Sequence, residues 1–301
     1  MLERLIGNTP TVRLYEIERR HGLICRLYAK AELINPGGSI KDRAAMAILN
    51  KYERQGKITR GSRLIEATSG NFGIALAMLS SSRGYRATIV MPKGASIERE
   101  KLIRAYGAEV IFAGNSMSEA IEYARELSAE KPDYVKPDQF NNYEGVRCHF
   151  QDTGREIWQN MQSNVDIFIT GVGTGATIRG VGEYLKVCND SVKIIAVEPK
   201  ESAVLTGNTP SSHGIDGIGA GFVPPLYRAD IVDEVISISS IEAVDSSREL
   251  ARCEGILAGI STGASLAASI KIGKREENRD KNIVLILCDR GERYFSRGII
   301  D

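Results

Sequence analysis

Surplus charge is the first thing this sequence lacks. Lys and Arg together number 39 and Asp and Glu 38, a formal net charge of +1 over 301 residues. Without a basic stripe, neither nucleic acid nor an anionic membrane surface is an expected partner. Long apolar runs are missing too. No stretch approaches the ~18 residues of a membrane span, and Met1-Leu2-Glu3-Arg4-Leu5 lacks the apolar core of a signal peptide. The five cysteines (Cys25, Cys148, Cys188, Cys253, Cys288) stand far apart with no C-x-x-C pair. That usage fits reduced thiols in the cytoplasm, and no metal site is expected. His21, His149 and His213 are the only histidines, and no two have metal-ligand spacing. Each reads first as structural, with His149 and His213 as candidate helpers to a site.

What is present is alternation. Apolar strand candidates at Arg63–Ala67, Ala87–Met91, Glu109–Phe112, Asp166–Thr170, Lys193–Val197 and Asn282–Cys288 are separated by helical patterns. Those helices are expected over Asp42–Gln55, Phe72–Ser82, Ile97–Tyr106, Ser118–Ala129, Glu144–Met161, Ala176–Val187, Ile241–Glu254 and Thr262–Lys274. The pattern predicts an α/β fold of two domains, each with a mostly parallel twisted sheet flanked by helices. A composition break over Pro132–Asn142 suggests a crossover between them. Leu205–Pro225, rich in Gly, Ser and Pro, is the longest stretch without a period, and long ordered loops are often functional.

In open parallel sheets, ligands bind where strands run into helix N-termini. Three loops occupy that place. Thr68-Ser69-Gly70-Asn71 offers hydroxyls and an amide at a helix start, an arrangement for a carboxylate or simply an N-cap. Gly171-Val172-Gly173-Thr174-Gly175-Ala176-Thr177 suits a phosphate dianion. It equally fits the G-x-G-x-x-A of a dinucleotide site, with Glu198 as the ribose-binding acid, or a plain glycine turn. A strand-like Gly255–Gly259 leads to Ile260-Ser261-Thr262-Gly263, where Ser261 is either an N-cap or a neutral partner for a ring nitrogen.

Lys41, in Asn35-Pro36-Gly37-Gly38-Ser39-Ile40-Lys41-Asp42-Arg43, is the most informative residue. A cation in the first turn opposes the helix dipole, so its position needs a reason. A Schiff base with an aldehyde cofactor, pyridoxal 5'-phosphate (PLP), supplies one, and implies a lowered amine pKa. A serine rather than a carboxylate at the pyridine nitrogen makes a weaker electron sink, which favours β-elimination chemistry over transamination.

Together these segments resemble the cysteine synthase (O-acetylserine sulfhydrylase) family of fold-type II PLP enzymes, whose fold is like that of the tryptophan synthase β subunit. The likeness runs from Ile6-Gly7-Asn8-Thr9-Pro10 to Asp289-Arg290-Gly291-Glu292-Arg293-Tyr294. Cys288-Asp289-Arg290-Gly291-Glu292-Arg293-Tyr294 and Leu64-Ile65-Glu66-Ala67-Thr68-Ser69-Gly70-Asn71 are most similar to the B-type members. The resemblance implies that Lys41 holds the cofactor and shuttles the α-proton. It implies that Asn71 meets the cofactor's 3'-oxygen, that Gly173, Thr174, Gly175, Ala176 and Thr177 hold its phosphate, and that Ser261 faces the pyridine nitrogen. Thr68, Ser69, Asn71 and Gln139 would bind the substrate carboxylate beside Phe72, and Gly217 would line the entrance. A smaller mobile domain of residues 37–142 would close on a larger one of 1–36 plus 143–301, usually in a homodimer. Some members also bind serine acetyltransferase, and no residue here decides for or against that.

The implied reaction joins an amino-acid donor, O-acetyl-L-serine, to a small nucleophile, sulfide, through an aminoacrylate intermediate. Leu205–Tyr227 contains no Lys or Arg to match a phosphoserine donor. Departures from the family pattern stand at Phe72, where Thr is usual, at Ala176, and at Asp152 and Arg155. Phe72 is expected to reshape the carboxylate site. Alternatives are therefore β-replacement with another donor or nucleophile, as in 2,3-diaminopropionate precursor synthases and cystathionine β-synthases, or desulfhydrase and lanthionine-forming activity. A non-catalytic regulatory paralogue is a reading of another class.

Overall fold

The computed structural model describes residues 2–299. It contains two sheets. The larger has six strands in the order β1-β2-β10-β7-β8-β9. These are β1 (Thr11–Arg13), β2 (Arg26–Lys30), β7 (Ile167–Gly171), β8 (Lys193–Pro199), β9 (Glu234–Ile238) and β10 (Asn282–Ile286). All neighbours are parallel except the β1–β2 edge pair. The smaller sheet, order β5-β4-β3-β6, is parallel throughout. It uses β3 (Arg63–Ala67), β4 (Arg86–Met91), β5 (Glu109–Phe112) and β6 (Tyr134–Val135).

Ten α-helices cover these sheets among the described residues: α1 (Tyr15–His21), α2 (Lys41–Arg54), α3 (Asn71–Arg83), α4 (Ile97–Ala105), α5 (Met117–Glu130), α6 (Glu144–Cys148), α7 (Arg155–Asn160), α8 (Ala176–Cys188), α9 (Ser240–Glu254) and α10 (Ile260–Gly273). α3 and α10 are buried nearly all round, which explains their weak amphipathic pattern. Fully buried β10 and β7 read as continuous apolar runs because helices lie on both faces.

Two expectations need correction. Gly255–Gly259 is not a strand: Gly255 ends α9 in the left-handed region, and only Ala258 makes a bridge, with Arg290. The helix expected over Glu144–Met161 is split by a π-helical stretch, His149–Gly154. The π turn aims the buried His149 ring at α8, where its Nε2 lies 3.3 Å from Thr177 Oγ1.

Beneath the start of α2 lies a buried ion network. Arg43 Nε donates to Glu32 Oε2 and Arg43 Nη2 to Glu156 Oε2, both at 2.7 Å, and Lys30 Nζ is 2.8 Å from Glu156. Two cations meet two anions with bidentate geometry, so no charge is left unpaired. The network anchors the first turn of α2, which carries Lys41.

Candidate active site

A cavity of about 560 Å³ opens between the two sheets. Of the residues expected at a site, Lys41, Thr68, Ser69, Asn71, Phe72, Gln139, Gly173, Thr174, Gly175, Thr177, Gly217 and Ser261 all border it. Ala176 does not; its side chain packs with Val146 and Leu226.

Five helices begin at or beside this cavity: α2, α3, α5, α8 and α10. α5 is capped by Ser116, whereas α2, α3, α8 and α10 have no side-chain cap. An uncapped N-terminus leaves N–H donors and a positive dipole end for a ligand. Thr68 and Ser261 are therefore not acting as caps. Thr68 Oγ1 instead accepts the Gly70 N–H at 3.1 Å and shapes the turn into α3.

At the end of β7, Gly173 and Gly175 form a cradle that no side chain could share. A Cβ on Gly173 would run into the Gly217 carbonyl. Gly175 has φ +83°, and a Cβ there would lie 2.6 Å from the Tyr227 backbone nitrogen. With the Thr174 and Thr177 hydroxyls and the N-terminus of α8, this donor set fits a phosphate. The dinucleotide alternative fails at Glu198. Its carboxylate accepts the Leu205 N–H at 2.8 Å and the Thr206 hydroxyl at 2.7 Å, and the residue is 1% exposed and does not border the cavity.

Lys41 is half-buried and opens onto the cavity. Burial pushes its amine pKa below the ordinary value, and Cys288 and Asp289 oppose that only in part. A neutral amine is the nucleophilic form. Amine, phosphate cradle and uncapped carboxylate loop together fit PLP.

The Thr68–Asn71 loop is held from behind. Glu66, at the end of β3, accepts the N–H of Asp138 at 2.7 Å and of Gln139 at 3.2 Å. Gln139 Nε2 donates to the Ala67 carbonyl at 3.2 Å. Arg99, from α4, is buried beneath Ser69-Gly70. It donates to the Ser69 carbonyl at 3.3 Å and to Asp216 at 3.0 Å, and its guanidinium lies 4.5 Å from the Tyr294 ring centroid. Sequence reasoning missed Arg99 and Asp216. Nothing in the helix pattern of α4 singles out one arginine, and its partner is 117 residues away.

Ser261 opens α10 on the opposite wall. The letters around it also fit the G-x-S-x-G elbow of a serine hydrolase. The three histidines are engaged elsewhere, with Glu249, with Thr153 and Thr177, and with Gly219 and Ile215. His149, buried close to Lys41 and Arg43, has its pKa held well below the ordinary value and stays neutral.

The departures from the family pattern lie mostly off the cavity. Asp152 and Arg155 are half-exposed and face each other, while Thr153 and Glu156 of the same segment point inward. Phe72 is 1% exposed and joins the apolar cluster of Leu76, Ile89 and Ile103.

The chain is similar to known proteins over nearly its whole length. Residues 2–289 match the family model described as "Pyridoxal-phosphate dependent enzyme". The chain is 42% identical over 298 residues to a cysteine synthase of Staphylococcus aureus (strain N315), covering 98% of this chain and 95% of that protein. The structure is similar to cysteine synthase from Entamoeba histolytica, with a TM-score of 0.94 and 39% identity over 99% of this chain and 90% of that one. It is also similar to an O-ureido-L-serine synthase with O-ureido-L-serine bound, with a TM-score of 0.95 and 36% identity over 99% and 92% of the two chains. A half-buried lysine amine, a phosphate cradle and this kinship lead to one conclusion: the chain belongs to the cysteine synthase family of pyridoxal-phosphate dependent enzymes.

Proposed function

We propose that the protein catalyses β-replacement on O-acetyl-L-serine with sulfide, giving L-cysteine and acetate. The observation that carries this is a desolvated Lys41 amine in one cavity with a phosphate cradle and an uncapped carboxylate loop. When bound, PLP supplies an electrophilic aldehyde and an electron sink for the substrate's α-carbon. Lys41 would hold that aldehyde at Nζ, and the same atom is the base placed to accept the α-proton. Thr68, Ser69, Asn71 and Gln139 bind the substrate carboxylate. Arg99 supports them from below as a positioning residue. Gly173, Thr174, Gly175 and Thr177, with the N–H of Ala176, hold the phosphate. Ser261 faces the pyridine nitrogen as a neutral partner. Gly217 and its loop line the entrance.

Residues 37–142, which contain the whole smaller sheet, move as the closing unit and exclude water. The chain acts in the cytoplasm as a homodimer; the five free cysteines are consistent with a reducing compartment. No helix among the described residues is long and apolar enough to cross a membrane.

A second reading keeps the donor and changes the nucleophile. Likeness to the O-ureido-L-serine synthase favours a small neutral nucleophile in place of sulfide, with the loop without Lys or Arg over Leu205–Tyr227 still suited to an uncharged leaving group. The test is to add O-acetylserine to the purified PLP-loaded protein, follow the cofactor's absorbance and acetate release, then supply sulfide, hydroxyurea or other small nucleophiles. Rapid spectral change with cysteine as the main product supports the reading. No acetate release contradicts it, and faster turnover with hydroxyurea transfers the assignment to the second reading.

A further inference from the structure

The segment Asp289–Tyr294 follows the cavity residue Cys288 and runs outside the cavity, yet with Cys288 it touches the loops that carry Lys41, Asn71 and Ser261. Ile40 N–H donates to the Cys288 carbonyl at 2.9 Å, beside Lys41. Gly259 N–H donates to the Asp289 carbonyl at 3.0 Å, beside Ser261. Arg293 donates to the Gly37 carbonyl, and its own carbonyl accepts the Ser96 hydroxyl at 2.7 Å. Two of its side chains converge on Asn71. Asn71 Nδ2 donates to Asp289 Oδ2 at 2.6 Å, and Asn71 Oδ1 accepts from Arg293 Nη1 at 2.5 Å. Asp289 is fully buried and Arg293 is 5% exposed. Neither borders the cavity, whereas Asn71 does.

We infer that Asp289 and Arg293 are positioning residues that lock the Asn71 carboxamide, so that its remaining Nδ2 hydrogen is presented to the 3'-oxygen of PLP. The argument is one of polarity. A guanidinium only donates and a carboxylate only accepts. Turning the amide over would set its NH2 against Arg293 and its oxygen against Asp289, and both contacts would be repulsive. The amide therefore has one orientation. Both bonds are charge-assisted and partly buried, which makes them strong. Tyr294 donates its hydroxyl to the same Asp289 Oδ2 at 2.6 Å and fixes the carboxylate in turn.

This inference rests on the reading that Asn71 faces the cofactor, and the experiment separates the two. A hydrogen bond to the 3'-oxygen favours its charged, visible-absorbing form over the neutral, ultraviolet-absorbing one. The ratio of the two bands in the resting, substrate-free protein is therefore the readout. It is measured for wild type, Asn71→Ala, Asp289→Ala, Arg293→Gln and Tyr294→Phe, each with its thermal unfolding curve. The expected result is a fall of about twofold or more in Asn71→Ala and in either Asp289→Ala or Arg293→Gln, whichever folds, with a smaller fall in Tyr294→Phe, which keeps both bonds to Asn71. If Asn71→Ala shifts the ratio and neither positioning variant does, the inference is overturned and the reading of Asn71 survives. If Asn71→Ala leaves the ratio unchanged, that reading fails and the inference with it. An equal shift in Tyr294→Phe would assign the effect to general loosening and would also overturn it.

Discussion

Replacing Phe72 by the threonine usual in the family tests whether this ring is a specificity element or a core anchor. The ring borders the cavity, but only 1% of the residue is exposed and it belongs to the cluster of Leu76, Ile89 and Ile103. Phe→Ala in a packed core costs about 3–5 kcal/mol. Threonine restores one methyl group but adds a buried hydroxyl, itself unfavourable by about 1–3 kcal/mol without a partner. These corrections roughly cancel, so Phe72→Thr should destabilise by about 3–4 kcal/mol. For a chain of this size that corresponds to a fall in Tm of about 5–6 °C. The assay pairs thermal unfolding with kcat/KM for sulfide and for one bulkier nucleophile. The ratio of the two kcat/KM values should stay within about threefold of wild type, because the ring's main contacts are apolar core. A variant with unchanged Tm and a reversed nucleophile preference would refute the packing argument.

Two further outcomes follow from the site. Burial pushes the Glu66 carboxyl up to about 8 from an ordinary 4.5, against two N–H donors. A raised folded pKa means stability that is complete below pH 4.5 and is lost as pH climbs through about 8. Between those values wild type should lose stability relative to Glu66→Gln, read as Tm against pH, and parallel curves would contradict this. Gly175→Ala forces φ +83° on a residue with a side chain and drives its Cβ against Tyr227. Cofactor affinity, titrated by absorbance after removal of PLP, should fall about 10–100-fold, and wild-type affinity would show the cradle to be looser than described.

The buried strands were legible because parallel strands covered on both faces are short apolar runs between helical periods. β9 was not, since most of its residues are half-exposed and its alternation is weak. β6 has two residues, and β1 is an edge strand of three. The loops were legible as letters, but their meaning needed neighbours. Whether Thr68 or Ser261 is a cap depends on hydrogen bonds that the letters do not carry. The contacts of Asn71 with Asp289 and of Arg99 with Asp216 span 218 and 117 residues. Side chains that act from behind the wall leave no local pattern. The letters of the Cys288–Tyr294 segment marked kinship, and only its packing against Asn71, Ile40 and Gly259 gives it a role.

Reduction of the purified PLP-loaded protein with borohydride, followed by peptide mass spectrometry, tests the central claim most directly. The account predicts that the cofactor's mass is fixed on Lys41 and that Lys41→Ala carries no label. A label on another lysine, or wild-type protein that stays colourless and unmodified with PLP in excess, would contradict it.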